Sequence, residues 1–344
     1  MYKNRLVISV LPFKLLAGYE WLDNQDVCQL PQFLNFSVPP RFALILWSLR
    51  VNSSKIHRLL HPFSYLCRHL NRVTMRLLYF FFPLLLSSDS LLMVAQNTDY
   101  TLVFSDEFDR PDGSRPDSAY WSCPKRGWST WDRWISDSER VAFIRDGKLV
   151  CRAIRNTETP ADTALMLTGA VETKGKYSFQ YGKIEVRAKT NLHEGNFPAI
   201  WLMPEPPAPR HPDGGEIDIY ESYGTHRDAC QTVHSHWTLS LKQNDNPKNT
   251  FSKHYFDINE WHIYGLEWTP TRLVFLIDGD VTGVYPKSMD EEALSKGQWP
   301  FDRPFYIILN QSLRRFGTFG GSPDPDYVYE TQFDWVRVYQ RKAK

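Results

Sequence analysis

The chain from about residue 100 onward consists of short runs of β-branched and aromatic residues, separated by Gly, Pro, Asn and Asp. The runs have the length of β-strands, and apart from one helical turn in 288–296 no segment shows the 3.6-residue period of a helix. Such a chain has to bury its apolar residues by packing sheet against sheet. We therefore predict an all-β fold, an antiparallel β-sandwich of jelly-roll type, in one domain over 96–344. The runs are 148–155, 176–189, 199–203, 232–239, 261–269, 272–279, 305–313 and 333–340.

The first 95 residues differ from the rest and predict export. Met75 and Arg76 precede the apolar run LLYFFFPLLL and the segment SSDSLLMVAQ, in the order found in a secretory signal peptide. The apolar run is too short to cross a membrane, so we predict a signal peptide over 75–95 and no transmembrane span. Because signal peptides begin chains, residues 1–74 are expected to be a non-native or disordered extension. The expected location is secreted, periplasmic or at the cell surface.

The charge of the chain argues against a nucleic-acid partner. The net charge is +1, but residues 1–74 hold nine basic and three acidic residues, which leaves 31 basic and 36 acidic residues for 75–344. A domain with this balance lacks the basic surface that neutralises phosphates. Aromatic residues make up 15%, including 12 Trp and 17 Tyr, and such flat faces are suited to stacking on sugar rings.

The segment GGEIDIYES at 214–222 places three carboxylates among strand-forming residues. In a regular strand Glu216 and Asp218 would share one face and Glu221 would lie on the other, since side chains alternate. One extra residue between Asp218 and Glu221, a β-bulge, would return Glu221 to the first face. We predict this bulge, because a cluster of carboxylates on one face is typical of sites that tune protonation for chemistry.

The spacing of the two glutamates indicates a reaction class. Along a bulged strand their backbones lie four strand steps apart, roughly 13 Å at ~3.3 Å per residue. Side chains that lean toward each other on a concave sheet approach the ~5 to 5.5 Å separation of the two carboxyls of a retaining glycosidase. The alternative is an acidic edge strand whose charges prevent aggregation.

The acidic segment and several other blocks resemble glycoside hydrolase family 16, whose bulged signature E-[ILV]-D-x-x-E matches EIDIYE at 216–221. The resemblance covers essentially all of residues 100–340. It implies a jelly-roll sandwich with a concave substrate cleft and an endo-acting hydrolase of polysaccharides or oligosaccharides. The other blocks are VFSDEFD (103–109), YGKIEVRAK (181–189), GNFPAIWLMP (195–204), GLEWTP (265–270) and FDWVRVYQ (333–340).

By this resemblance Glu216 is the nucleophile, Glu221 the general acid/base, and Asp218 the residue that holds and tunes the nucleophile. The chemistry agrees, because a nucleophile has to be ionised whereas an acid catalyst has to carry a proton, and a carboxyl between them couples their titration. The resemblance implies no cofactor for catalysis. The expected partner is a carbohydrate substrate, and the protein is expected to be a monomer.

The resemblance also implies substrate-binding positions, and each has a structural alternative. Trp201 is expected to be a sugar platform or a core tryptophan, and His234 to line the leaving-group side or to be structural. Trp237 and Gln311 are expected to face the substrate or to serve packing and sheet hydrogen bonds. Trp128, in RGWSTWDRW at 126–134, is expected to form a subsite floor.

A structural calcium ion is a further implication of the resemblance. Many family members hold one on the convex face, through carbonyls near the first strand and a carboxylate in the last. The matching positions here are Glu107, Gly147 and Asp334, which offer the hard oxygen donors that calcium prefers.

The expected substrate follows the resemblance, with one departure. Laminarinase-like members commonly have a G-W-G-N stretch followed by Glu and Gln, where this chain reads RGWSTWDRW. The preferred prediction is a retaining endo-hydrolase of β-1,3-glucan or mixed-linkage β-1,3-1,4-glucan. Two alternatives stay open: an endo-β-galactosidase acting on host O-glycans or algal galactans, and a noncatalytic carbohydrate-binding jelly roll, since fold alone does not fix function.

Overall fold

The computed structural model describes residues 99–158 and 161–342. The expected extension at 1–74 and the signal peptide at 75–95 lie outside the described residues. A π-helical turn (His236–Ser240) and a short helix, α1 (Glu291–Ser295), interrupt an otherwise β structure. The strands are β1 (Tyr100–Asp106), β2 (Ala142–Ile144), β3 (Leu149–Arg155), β4 (Met166–Glu172), β5 (Gly182–Thr190), β6 (Asn196–Pro204), β7 (Glu216–Glu221), β8 (Asp228–His234), β9 (Thr250–His254), β10 (His262–Thr269), β11 (Arg272–Ile277), β12 (Asp280–Pro286), β13 (Phe305–Leu313) and β14 (Tyr329–Arg341).

These strands pair in one continuous antiparallel path. Its order is β12-β11-β10-β5-β14-β3-β4-β13-β6-β7-β8-β9, with β1 added to β14 and β2 to β3. The path folds over, so that Tyr220 of β7 stacks on Tyr264 of β10 with ring centroids 4.1 Å apart. This arrangement confirms the predicted all-β, antiparallel sandwich of jelly-roll type.

Alternation of side chains builds the core between the two halves of the path. In β5, Ile184, Val186 and Ala188 are fully buried, while the residues between them stay partly exposed. Burying each large aliphatic side chain contributes about 1.5–3 kcal/mol. The partly exposed side of β5 carries Arg187, which pairs with Asp334 of β14.

Strand β13 is buried on both faces along its whole length. Ile307 and Leu309 pack into the core, whereas Tyr306 and Ile308 join Trp201 in a second apolar cluster on the opposite side of the sheet. We call this opposite side, as formed by β13, β6, β7 and β8, the cleft face. No helix in 99–158 or 161–342 is long and apolar enough to cross a membrane.

Candidate active site

Strand β7 contains the predicted bulge. On the β6 side the register shifts within β7, and Ile219 is the residue left without a partner. The three acids therefore lie on one face, and on β8 their partners are each two residues apart: Glu216 with His234, Asp218 with Thr232, and Glu221 with Cys230.

The apolar residues of β7 explain why the bulge forms. Ile217, Ile219 and Tyr220 are all buried in the core. In a regular strand Tyr220 would turn to the cleft face and Glu221 would turn into the core, where an unpaired carboxylate is costly. The bulge keeps the adjacent Ile219 and Tyr220 on the core side and returns Glu221 to the cleft face, which removes the conflict.

Glu216, Asp218 and His234 form a compact polar cluster on the cleft face. His234 Nε2 lies 3.2 Å from Asp218 Oδ2 and 3.9 Å from Glu216 Oε1. Asp218 is only 2% exposed, and its Oδ2 makes no well-oriented hydrogen bond. Burial, followed by the negative charge of Glu216, raises the pKa of Asp218 well above its ordinary value. The buried carboxyl therefore favours its protonated form.

The same three side chains offer ligand atoms within 4.8 Å of one another, close enough to hold a metal ion. We interpret the cluster as carboxyls that share protons, because burial and the charge of Glu216 raise the pKa of Asp218.

Glu221 is the second buried acid of the cleft face, and Tyr223 Oη donates a hydrogen bond to its Oε2 at 2.7 Å. Burial raises the pKa of Glu221 well above its ordinary value; the charges of Asp218 and Glu216 add to the rise, while the Tyr223 hydrogen bond opposes it. Burial and the charge of Glu221 raise the pKa of Tyr223 as well, so that its hydroxyl stays a donor. Glu221 thus favours the protonated form that an acid catalyst requires.

Glu216 is more exposed than the other two acids and contacts a residue that the sequence did not indicate. His211 Nε2 lies 2.6 Å from Glu216 Oε2. His211 belongs to the loop at 205–215, and His236 Nδ1 holds the same loop through Asp213 Oδ1 at 2.9 Å. These two contacts fix the loop as a wall of the site beside Glu216.

Trp201 lies on the cleft face directly across from Asp218. Trp131 packs edge-on against it with ring centroids 4.8 Å apart, and Trp201 Nε1 donates to Asn310 Oδ1 at 2.8 Å. Only 6% of Trp201 is exposed. Trp201 therefore forms a packed floor of the site, and little of its ring surface is free to contact a ligand.

The other two predicted tryptophans lie in connecting segments and make no hydrogen bond to the acids within the described residues. Trp128 is 93% exposed in the loop at 126–134, the loop that also carries Trp131. Trp237 lies in the π-helical turn after β8; its Nε1 is buried and has no hydrogen-bond partner among the described residues. Substrate binding by either residue stays a prediction.

Gln311 faces the wrong side of the sheet for the role predicted from the sequence. Its side chain is fully buried. Its Nε2 donates to Asn196 Oδ1 at 2.7 Å, and its Oε1 accepts from Thr331 Oγ1 at 2.7 Å. Gln311 therefore joins β13 to β6 and β14 inside the core, and its neighbour Asn310 occupies the cleft face instead. We correct the prediction that Gln311 binds substrate.

Two of the three positions predicted to bind calcium have side chains paired with arginine. Arg337 donates two hydrogen bonds to Glu107, at 2.9 and 2.8 Å, and Arg187 pairs with Asp334. Gly147 lies in the turn between β2 and β3 with a φ of 63°. The Asp334 carboxylate, already neutralised by Arg187, does not fit the carboxylate ligand that the resemblance implied, whereas binding through the carbonyls of Glu107 and Gly147 stays a prediction.

Comparisons with known proteins agree with this geometry. The model of glycosyl hydrolases family 16 matches residues 134–314. A keratan-sulfate endo-1,4-beta-galactosidase of Sphingobacterium multivorum is 34% identical over 249 residues, which are 71% of this chain and 56% of that protein. A beta-glucanase of Rhodothermus marinus is 29% identical over 253 residues, 70% of this chain and 85% of that protein.

Solved structures of similar proteins also match the fold of this chain. One belongs to the endo-acting O-glycanases that prominent members of the human gut microbiota express to initiate mucin breakdown. It is 31% identical and superposes with a TM-score of 0.61, covering 70% of this chain and 100% of that one. The matches confirm the resemblance drawn from EIDIYE and its neighbouring blocks: the chain belongs to family 16 of the glycosyl hydrolases and is a glycoside hydrolase.

Proposed function

We propose that the protein is a retaining endo-hydrolase that cleaves β-linked glycans by double displacement. The observation that carries this proposal is the bulge in β7, which brings Glu216, Asp218 and Glu221 to one face. Glu216 is the most exposed of the three, whereas Glu221 is buried and favours its protonated form. The two glutamates thus differ in the way that a nucleophile and an acid catalyst have to differ.

In the first displacement a carboxylate oxygen of Glu216 bonds to the anomeric carbon and the glycosidic C–O bond breaks. The proton of Glu221 passes to the departing sugar oxygen, and Glu221 becomes a carboxylate. In the second displacement Glu221 takes a proton from water, whose oxygen attacks the anomeric carbon and releases Glu216. Two inversions give overall retention. A sugar hydroxyl in place of water gives transglycosylation.

Asp218 assists the nucleophile in this scheme. Its protonated carboxyl lies beside Glu216, whose negative charge adds to the rise of its pKa, and the His234 imidazole lies within 4 Å of both carboxyls. A donor beside Glu216 holds the carboxylate in place and stabilises it when the covalent intermediate breaks down.

For the substrate class we place β-galactosidic bonds of lactosamine-type or mucin-type glycans first. Two of the similar proteins above 30% identity support this choice: one is named a keratan-sulfate endo-1,4-beta-galactosidase, and the other belongs to O-glycanases that initiate mucin breakdown. The glucanase relative is 29% identical, and this chain lacks the G-W-G-N stretch common in laminarinase-like members. β-1,3-Glucan and mixed-linkage glucan, which the sequence alone favoured, form the second candidate.

A substrate panel tests both the proposed retaining mechanism and the proposed substrate class. Purified protein is incubated with desulfated keratan, mucin O-glycans, agarose, laminarin and barley glucan, and the products are followed by mass spectrometry and by the anomeric proton signals in NMR. We expect internal cleavage with β-anomers formed first. Glu216→Gln should abolish turnover, while Glu260→Gln, an exposed glutamate on a turn, should not. Products formed first as α-anomers would exclude double displacement.

Export is part of the same proposal. A hydrolase of extracellular glycans has to leave the cytoplasm, and the signal peptide predicted at 75–95 would provide the route, with 96–344 as a monomeric catalytic domain. N-terminal sequencing of protein recovered from the native source tests this. A start at residues 91–96 is expected, and a mature protein that retains residues 1–74 would contradict it.

A further inference from the structure

Three arginines cluster between the loop at 126–134 and the segment that follows β13. Arg133 Nη2 donates to the carbonyl of Arg314 at 2.6 Å. Arg315 Nη2 donates to the carbonyl of Trp128 at 2.7 Å, and its Nε lies 3.2 Å from Thr130 Oγ1. We call Arg133, Arg314 and Arg315 the arginine cluster. Its hydrogen bonds go to neutral oxygens.

The cluster has no ion pair with a carboxylate in the part of the chain that the structure describes. Ten of the other fourteen arginines of that part do have one. Asp132, whose charge favours the protonated form of Arg133, uses its Oδ1 to accept from the backbone and hydroxyl of Ser129. Burial, together with the charges of Arg315 and Arg314, lowers the pKa of Arg133 to about 10. Such mutual repulsion is unfavourable unless an anion joins the group.

The cluster borders the candidate active site through two chains of contact. The guanidinium carbon of Arg314 lies 5.2 Å from the ring centroid of Tyr223, the residue that donates to Glu221. On the other side, the loop that carries Arg133 places Trp131 edge-on against Trp201 on the cleft face. Tyr223 and Trp131 thus link the arginine cluster to Glu221 and to Trp201.

Exposed aromatic rings surround the cluster. Trp128 is 93% exposed, Phe319 61% and Phe316 51%. Phe319 stacks on His226 with ring centroids 4.4 Å apart, and Arg314 contacts both Phe197 and Tyr223. Flat rings beside unneutralised guanidinium groups suit a sugar that carries an anionic substituent, because the rings stack on the sugar and arginine hydrogen-bonds an oxyanion in bidentate fashion.

We infer that the arginine cluster is a subsite for a negatively charged sugar substituent, a sulfate ester or a carboxylate, of the glycan cleaved at Glu216 and Glu221. This inference rests on the proposed glycan hydrolysis and narrows its substrate class to anionic β-linked glycans. Arg315 is the exposed member of the cluster and binds the anionic substituent. Arg133 and Arg314 hold the loop and the aromatic rings around it.

The test compares the same glycan with and without its charge. Steady-state kcat/KM is measured on sulfated keratan oligosaccharides and on their desulfated forms, for the wild type, Arg315→Gln and Arg315→Lys. Arg303→Gln is the matched control, since Arg303 is an exposed arginine that precedes the other end of β13. We expect Arg315→Gln to lower the preference for the sulfated form by about fivefold, as for one partly exposed charge pair. Arg315→Lys should retain more of it, and Arg303→Gln should change nothing.

A binding measurement separates this inference from the proposed hydrolysis. The full chain with Glu216→Gln is titrated calorimetrically with sulfated, desulfated and sialylated oligosaccharides of the same backbone. Tighter binding of the sulfated or the sialylated form identifies the source of the charge, and it supports the subsite even where turnover fails. Equal binding of charged and neutral forms, or a preference that Arg315→Gln leaves intact, would overturn the subsite while leaving hydrolysis of the neutral glycan standing.

Discussion

Carboxylates of the cleft face and carboxylates of the opposite half of the sandwich differ in whether cationic side chains surround them, and therefore in the direction in which their pKa values shift. On β14, Arg145 and Arg152 both pair with Glu330; although burial alone would raise its pKa, these hydrogen bonds lower it. On the cleft face Asp218 and Glu221 have no arginine or lysine partner in the described residues, and their pKa values are raised. The same side-chain chemistry thus stabilises the fold in one place and holds a transferable proton in the other.

Glu221→Gln gives the largest expected effect of this contrast. The amide cannot protonate a departing sugar oxygen, so kcat/KM on a natural glycan should fall about 10²- to 10⁴-fold, the contribution of a general acid/base. Far-ultraviolet circular dichroism should show an intact fold, because the buried charge-prone group is replaced by a neutral one of the same shape. A variant that retains wild-type turnover would contradict the assignment.

Glu330→Gln should have the reverse profile, with turnover kept and stability lost. Removing a carboxylate that two arginines share should lower the free energy of unfolding by about 1–3 kcal/mol at neutral pH. Because the folded-state pKa of Glu330 is lowered, this contribution is present above the unfolded value of about 4.3 and is lost as pH falls through the folded value. Urea unfolding at neutral and acid pH measures both. A difference between variant and wild type that persists unchanged in acid would refute the linkage.

Tyr223→Phe should shift the pH profile and leave the fold in place. The Tyr223 hydroxyl lowers the pKa of Glu221 by stabilising its carboxylate. Without that hydroxyl the pKa of Glu221 rises further, and the basic limb of kcat/KM against pH should move to higher pH. The phenylalanine ring keeps the packing on Phe197. A basic limb that stays in place or moves to lower pH would separate Tyr223 from the proton on Glu221.

A chelator should have the smallest effect. Since Arg337 and Arg187 already engage Glu107 and Asp334, we expect no change in the thermal midpoint when EDTA is added to calcium-loaded protein. Differential scanning calorimetry provides the measurement. A clear drop in the midpoint would restore the calcium site that the family resemblance implied.

The bulge could be predicted from the sequence because strict alternation would place the acids of β7 on two different faces. Three acids and three large apolar residues within EIDIYE cannot be segregated by strict alternation. A single inserted residue segregates them completely. The fold could be predicted for a similar reason, because strands such as β5 alternate clearly between buried and partly exposed residues.

Other parts of the site could not be predicted from a sequence pattern. Every residue of β13 is buried, so its sequence gives no alternation from which to assign Gln311 or Asn310 to a face. His211 meets Glu216 only because a loop folds back onto β7, and Trp131 covers Trp201 through a contact distant in sequence. Contacts of this kind depend on the packing of loops, which local patterns do not encode.

Azide rescue tests the roles of the two glutamates most directly. Glu216→Ala and Glu221→Ala are each given an aryl β-glycoside of the glycan that the wild type cleaves, with sodium azide added. In Glu216→Ala, azide replaces the missing nucleophile and attacks the substrate once, so the product should be the α-glycosyl azide. In Glu221→Ala, azide attacks the glycosyl-enzyme, so the product should be the β-glycosyl azide. Proton NMR distinguishes the two products. The same anomer from both variants, or the two anomers interchanged, would contradict the assignment of Glu216 as nucleophile and Glu221 as acid/base.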